Sequence, residues 1–286
     1  MKKGTKTNYN TTLTKLKLFR SNGTLPFNQV NVEFCEKFNV YLSKLGISQN
    51  TRSKYFQYLK KAVNEAIKRG LLKTEESPFN KGFKVKYSAP KKKSLSLNEL
   101  KQIEKTDVHY NSALQRVKDM FLFSCYTGLR FGDLIKLSFE NFIEKENEIH
   151  IQFVQEKTLR PVKYNLSKIF LGEDNVSKPE KIIRKYFSIY EYARNAPAGT
   201  IHFFNDTNQN YNRLLKDIGR IAETALPLQS HVARHTCITI LVNEAGIPIQ
   251  DVQKIAGHAK IETTMGYLKH DEKEVNKSLS IANWNF

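Results

Sequence analysis

Between residues 87 and 94 the chain runs Tyr-Ser-Ala-Pro-Lys-Lys-Lys-Ser, and this break decides how many cores the sequence can build. Pro90 supplies no backbone donor and holds the residue before it in an extended conformation, so no regular helix continues through. Lys91, Lys92 and Lys93 repel one another and keep the segment in water. Just beyond, Ser96-x-x-Glu99 has the form of a capping box, which opens a new helix. The chain is therefore expected to form a helical domain over residues 1–88, a basic linker over 89–95 and a second domain over 96–286.

Before the break the apolar pattern is helical. Phe34, Phe38, Tyr41 and Leu42 share one face. Tyr55, Leu59, Ala62, Val63 and Ala66 repeat that spacing in a helix that stops at Gly70, and a weaker helix is expected near residues 8–20. After the break the content is mixed but mainly helical. Leu114, Val117, Met120 and Phe121 mark a buried helix running to Gly128. Ile149, Ile151 and Phe153 alternate as a strand, paired with Val162–Leu166 across a turn at Lys157–Pro161. Further helices are expected near 179–194, 210–223, 231–244 and 248–256, with a short one over 261–268 that carries Tyr267. The fold class that follows is mainly α with a small β-sheet.

A formal charge of +18 and a pI near 9.6 favour a polyanionic partner, nucleic acid foremost, although a ribosome-associated protein would share that balance. No apolar run approaches the roughly 18 residues needed to cross a bilayer. The start, MKKGTKTNYNTT, has lysines but no apolar stretch behind them, so it does not read as a secretory signal. Cys35, Cys125 and Cys237 are odd in number and set among apolar neighbours, which reads as reduced, buried thiols of a cytoplasmic protein. Neither metal-ligand spacing nor a phosphate-binding glycine loop is present, so no metal and no nucleotide cofactor is expected.

Taken singly, the polar residues of the second domain have ordinary explanations. Arg130, after Gly128-Leu129, suits the negative end of a helix. Lys157 suits a solvated turn. His231 and Arg234, three apart, share one helix face as an entry histidine and a surface arginine would. His258 after Gly257 could end a helix, and Tyr267 is one of 13 tyrosines. Their joint occurrence is harder to dismiss. Gly-Leu-Arg, a hairpin lysine, His-x-x-Arg, Gly-His and a tyrosine nine residues on appear in one order.

That order resembles the tyrosine recombinase, or phage integrase, family. The matching segments are TGLRFGD at 127–133, QEKTLRPVKYNL at 155–166, HVARHT at 231–236 and AGHAKIETTMGYLKH at 256–270. The likeness covers most of residues 95–272. It is looser before residue 90, where a helical module stands in the place of the family's SAM-like core-binding domain.

The resemblance implies a site-specific recombinase that cleaves and rejoins DNA through a 3′-phosphotyrosine, without metal or ATP. Arg130 and Arg234 would grip the scissile phosphate, their planar forks suiting its oxygens. Tyr267 would attack the phosphorus and Lys157 would protonate the departing 5′-oxygen. His231 would assist proton transfer at the tyrosine, His258 would donate to the phosphate, and Asp133 would orient its neighbours. Lys91, Lys92 and Lys93 would lie along the DNA backbone. The implied partners are double-stranded DNA and three further copies of the chain, as a homo-tetramer on two DNA sites that is monomeric when free, with accessory DNA-bending proteins possible. The enzyme would be cytoplasmic and nucleoid-associated when bound. Family integrases commonly carry a further N-terminal arm-binding domain, so the sequence reads either as a two-domain recombinase or as a truncated one.

Two rivals belong to other classes. Residues 246–257 could pass for part of a helix-turn-helix in a non-catalytic DNA-binding protein, which leaves Arg130, Lys157 and Tyr267 as coincidences. A type IB topoisomerase uses related residues without exchanging strands, but the length and two-domain plan fit a recombinase better.

Overall fold

Asn31 and Ser48 open the first two well-packed helices by accepting backbone N–H bonds from Phe34 and Thr51. The computed structural model in which they appear describes residues 3–88, 92–191 and 201–268. Lys91, the end of the expected helix at 179–194, and everything beyond Leu268 lie outside the described residues. The chain divides into two compact units, Met1–Lys91 and Lys92–Phe286.

The first unit consists of α1 (Lys3–Phe19), α2 (Val32–Lys44) and α3 (Gln49–Lys68). Phe34, Phe38 and Leu42 of α2 meet Phe56, Leu59 and Val63 of α3 in one core, against which Phe19 packs. Each such fully buried side chain contributes about 1.5–3 kcal/mol of transfer free energy. After α3, Gly70 takes a left-handed conformation (φ +70°), the arrangement that ends a helix most cheaply with glycine.

In the second unit the capping box forms as expected. Ser96 accepts from the Glu99 backbone, and the Glu99 carboxylate accepts from Ser96 N at 2.8 Å, opening α4 (Leu97–Lys105). Around the apolar helix α5 (Ser112–Thr127) pack α7 (Lys178–Ile189), α8 (Asn208–Ile221) and α9 (Ser230–Asn243). Because α5 is buried almost all round, its sequence is not amphipathic, as a central helix requires. A short α6 (Phe131–Leu134) leads to an antiparallel sheet in the order β1 (Phe142–Lys145), β2 (Glu148–Val154), β3 (Pro161–Asn165). The periodicity marks β2 and β3 but not β1, whose four residues are too few and too polar to show alternation. The chain then continues through α10 (Ile249–Ala256) and α11 (Ile261–Met265).

Cys35, Cys125 and Cys237 are free and buried. No helix among the described residues is long and apolar enough to cross a membrane.

Candidate active site

Four chain segments converge on one backbone carbonyl. At the end of α5, Gly128 turns left-handed (φ +70°) and the chain re-enters a helix with Arg130 at the N-cap of α6. The Arg130 guanidinium donates to Gln155 Oε1 at 2.6 Å. Gln155 lies just beyond β2 and is almost wholly buried. Its Nε2 donates to the carbonyl of Ala256 at 2.8 Å, while Thr158 Oγ1 donates to its Oε1 at 2.7 Å. Arg234, one turn into α9 and buried, donates to Gly128 O at 2.5 Å and to the same Ala256 O at 2.7 Å. The two arginines are thereby held in register through the last residue of α10.

Gly257 makes this junction possible. Its φ is +61°, and a Cβ there would lie 2.3–2.6 Å from the atoms of the Gln155 amide. Only glycine satisfies both the left-handed turn and the close approach.

Tyr267 is buried next to this junction. The expected helix over 261–268 stops at Met265, with Gly266 as C-cap, so Tyr267 stands just past a helix end rather than on the helix. Asn243 Nδ2 donates to the Tyr267 carbonyl at 3.0 Å. The phenol oxygen is 2.6 Å from His235 Nδ1. On one side the His258 ring is stacked at a centroid distance of 6.2 Å, itself held by a 2.9 Å bond between Nδ1 and Thr264 Oγ1. Lys92 Nζ lies 3.6 Å from the Tyr267 ring centroid and donates to Thr263 O at 3.1 Å.

The electrostatics are those of a cationic cluster. Burial raises the Tyr267 phenol pKa, and Arg234 and Arg130 pull it back down. Burial, then repulsion from Arg130, lowers Arg234 to about 10, which leaves it charged at neutral pH. Burial and the surrounding cations lower His258 to about 3 and His235 to about 4, so both rings are neutral at pH 7. Asp133 is the carboxylate that faces the arginines. Burial raises its pKa against the opposing effects of the Glu156 N–H, which donates to its Oδ1 at 2.9 Å, and of both guanidiniums. Its Oδ2 is buried without a hydrogen-bond partner among the described residues.

His231 is exposed, one turn before His235, with the two rings 6.2 Å apart. Displaced water, then Lys157, Arg234 and Arg130, lower its pKa. Lys157 sits exposed in the turn between β2 and β3, close enough to His231 to exert that repulsion. The six residues singled out by their order thus meet in one region. Lys92, exposed like Lys93, belongs to that region too, its Nζ lying over the Tyr267 ring. Two participants stand outside that order. Gln155 has no signal in the sequence beyond its place before Glu-Lys in the hairpin. His235 does have one, being four residues after His231 and hence on the same helix face.

Comparison with known proteins follows the same lines. Residues 93–274 match the model of the phage integrase family, and residues 1–87 match that of the phage integrase SAM-like domain. Transposase A from transposon Tn554 of Staphylococcus aureus is 27% identical over 240 residues, covering 80% of this chain and 62% of the transposase. The chain thus spans less than two thirds of that relative. Tyrosine recombinase XerD of Listeria innocua is 26% identical over 149 residues, 49% of this chain and 46% of XerD. Among solved structures, a lambda integrase dimer bound to a COC′ core site superposes with a TM-score of 0.74. It covers 96% of this chain and 91% of the integrase at 14% identity, a likeness of fold.

Proposed function

The chain belongs to the phage integrase family, and on that premise we propose that it is a tyrosine-type site-specific recombinase acting on duplex DNA. The observation that carries the reading is the buried Tyr267 phenol, bonded to His235 and within electrostatic reach of two guanidiniums that are linked through Gln155 and the Ala256 carbonyl. A phosphodiester placed at this cluster would meet Arg130 and Arg234, which stabilise the charge that builds on the non-bridging oxygens. Tyr267 would attack the phosphorus, giving a 3′-phosphotyrosine that keeps the phosphodiester energy for rejoining. Lys157 would give its proton to the departing 5′-oxygen, and the family resemblance gives His231 the part of assisting proton transfer at the tyrosine. His258 would bond the phosphate, and Asp133 would orient Arg130. Arginines carry the charge stabilisation and the covalent link stores the energy, so the chemistry calls for neither metal nor ATP.

In this reading residues 1–88 form the core-binding domain, 89–95 the basic linker with Lys91, Lys92 and Lys93 near the backbone, and 96–286 the catalytic domain. Four copies would act on two DNA sites, with DNA-bending accessory proteins as possible partners.

Covalent capture tests it. Wild-type protein and Tyr267→Phe are mixed with fragmented DNA, quenched with detergent, and the protein-linked strands are sequenced. Adducts made by the wild type alone, with ends stacked at one position, are expected. Tight binding with no adduct from either protein would favour the non-catalytic rival.

A further inference from the structure

We infer that His235 is the base that takes the proton from Tyr267 during strand cleavage and returns it on rejoining. The inference rests on the recombinase reading of the site. Its ground is geometric: His235 Nδ1 lies 2.6 Å from the Tyr267 hydroxyl, the span of a strong hydrogen bond to the atom that would attack phosphorus. The family resemblance points to His231 for this task. His231, however, stands one helical turn earlier, exposed and beside Lys157, the side of the site where the leaving oxygen would be protonated.

The surroundings suit a base. His235 is half-buried on α9, and the chain around it together with His231, Lys92 and Arg234 disfavours its charged form, so it waits neutral. With the ring hydrogen on Nε2, Nδ1 accepts the phenol proton. A phosphate bound by the arginines would offset their repulsion and raise the ring's proton affinity as the phenol ionises. The step balances. The Tyr267 O–H bond breaks and its proton moves to Nδ1, the phenol oxygen bonds to phosphorus, and the P–O5′ bond breaks as that oxygen takes a proton from Lys157. Rejoining reverses each transfer. Lys92 over the ring and Asn243 on the Tyr267 carbonyl fix the phenol for this exchange.

The test uses the duplex whose cleavage position wild-type capture defines, and a second duplex with sulfur in place of the 5′-bridging oxygen. Sulfur leaves without a proton, so it relieves the need for an acid but not for a base. His235→Asn keeps an acceptor near Nδ1 and cannot take the proton. It is expected to slow phosphotyrosine formation by about 10²–10⁴-fold on both duplexes, with DNA affinity unchanged. Lys157→Ala is expected to fail on oxygen and recover on sulfur. His235→Ala should be partly rescued by added imidazole. Cleavage by His235→Asn within about threefold of wild type, or its recovery on sulfur, would overturn the assignment.

If His235→Asn does not fold, ¹⁵N-histidine NMR of the wild type against Tyr267→Phe decides the contact. A shifted His235 Nδ1 signal supports it, and an unmoved one refutes it. Wild-type protein that makes no Tyr267-dependent adduct would sink the recombinase reading itself. Tyr267-dependent adducts formed equally by His235 variants would sink only this inference.

Discussion

Replacing Gly257 by alanine should cost far more than the same change at Gly246, although both glycines are left-handed, with φ of +61° and +64°. The backbone term is common to the two and amounts to roughly 1–2 kcal/mol for an L-residue. At Gly246 a Cβ meets nothing within 4 Å, so that term is the whole effect. At Gly257 the Cβ would sit 2.3 Å from Gln155 Nε2, and Gln155 is buried and bonded to Arg130, Thr158 and Ala256. The amide must move, breaking a neutral bond of about 1 kcal/mol and a charged one of about 1.5–3 kcal/mol. An additional destabilisation of roughly 2–4 kcal/mol follows. For a unit of this size each kcal/mol is about 2–4 °C in Tm. Differential scanning calorimetry should therefore show Gly246→Ala lowered by about 2–8 °C, and Gly257→Ala by about 4–16 °C more. Cleavage should fall with the latter, because Arg130 loses its anchor. Equal Tm shifts in the two variants would refute the packing argument.

The remaining predictions concern pH and salt. His258 is held neutral with its pKa lowered from 6.5 to about 3, so between those values the unfolded chain binds a proton that the folded chain does not. Stability thus falls as pH drops through that window, by about 2 kcal/mol at pH 5. His258→Gln should flatten the decline of Tm between pH 7 and 5, and an unchanged decline would count against the assignment. Replacing Lys91, Lys92 and Lys93 together by alanine should weaken binding to all DNA sequences alike. The log–log salt slope should become shallower by about 0.9 for each phosphate that the lysines no longer neutralise, and a sequence-selective weakening would contradict the backbone role.

Much of the fold is legible in the sequence, and the reasons are physical. The capping box at Ser96, the glycine end of α5 and the apolar faces of α2 and α3 are local devices, so spacing reveals them. β1 escapes such a reading because its partner β2, not its own four residues, makes it a strand. Periodicity carries the last helix through Tyr267, whereas Gly266, a helix-ending residue of the kind read at Gly70, is where the turn stops. Chemistry-bearing residues with a fixed order along the chain can be named from that order. Gln155 and His235 cannot, since their importance lies in a bond made across 101 residues for the one and in a bond with Tyr267 for the other.

Arg234 spends two of its N–H donors on the carbonyls of Gly128 and Ala256 before any DNA arrives. Those carbonyls lie at the ends of α5 and α10, where helices leave acceptors unsatisfied. One side chain therefore closes two helices and readies a phosphate clamp. The rotamer entropy of a long arginine is given up when the domain folds, not when the substrate binds. Affinity for the phosphate then carries no ordering penalty from this residue. By the same token, an inactive Arg234 variant reports on helix closure as much as on transition-state charge, and only a stability measurement made alongside can separate the two.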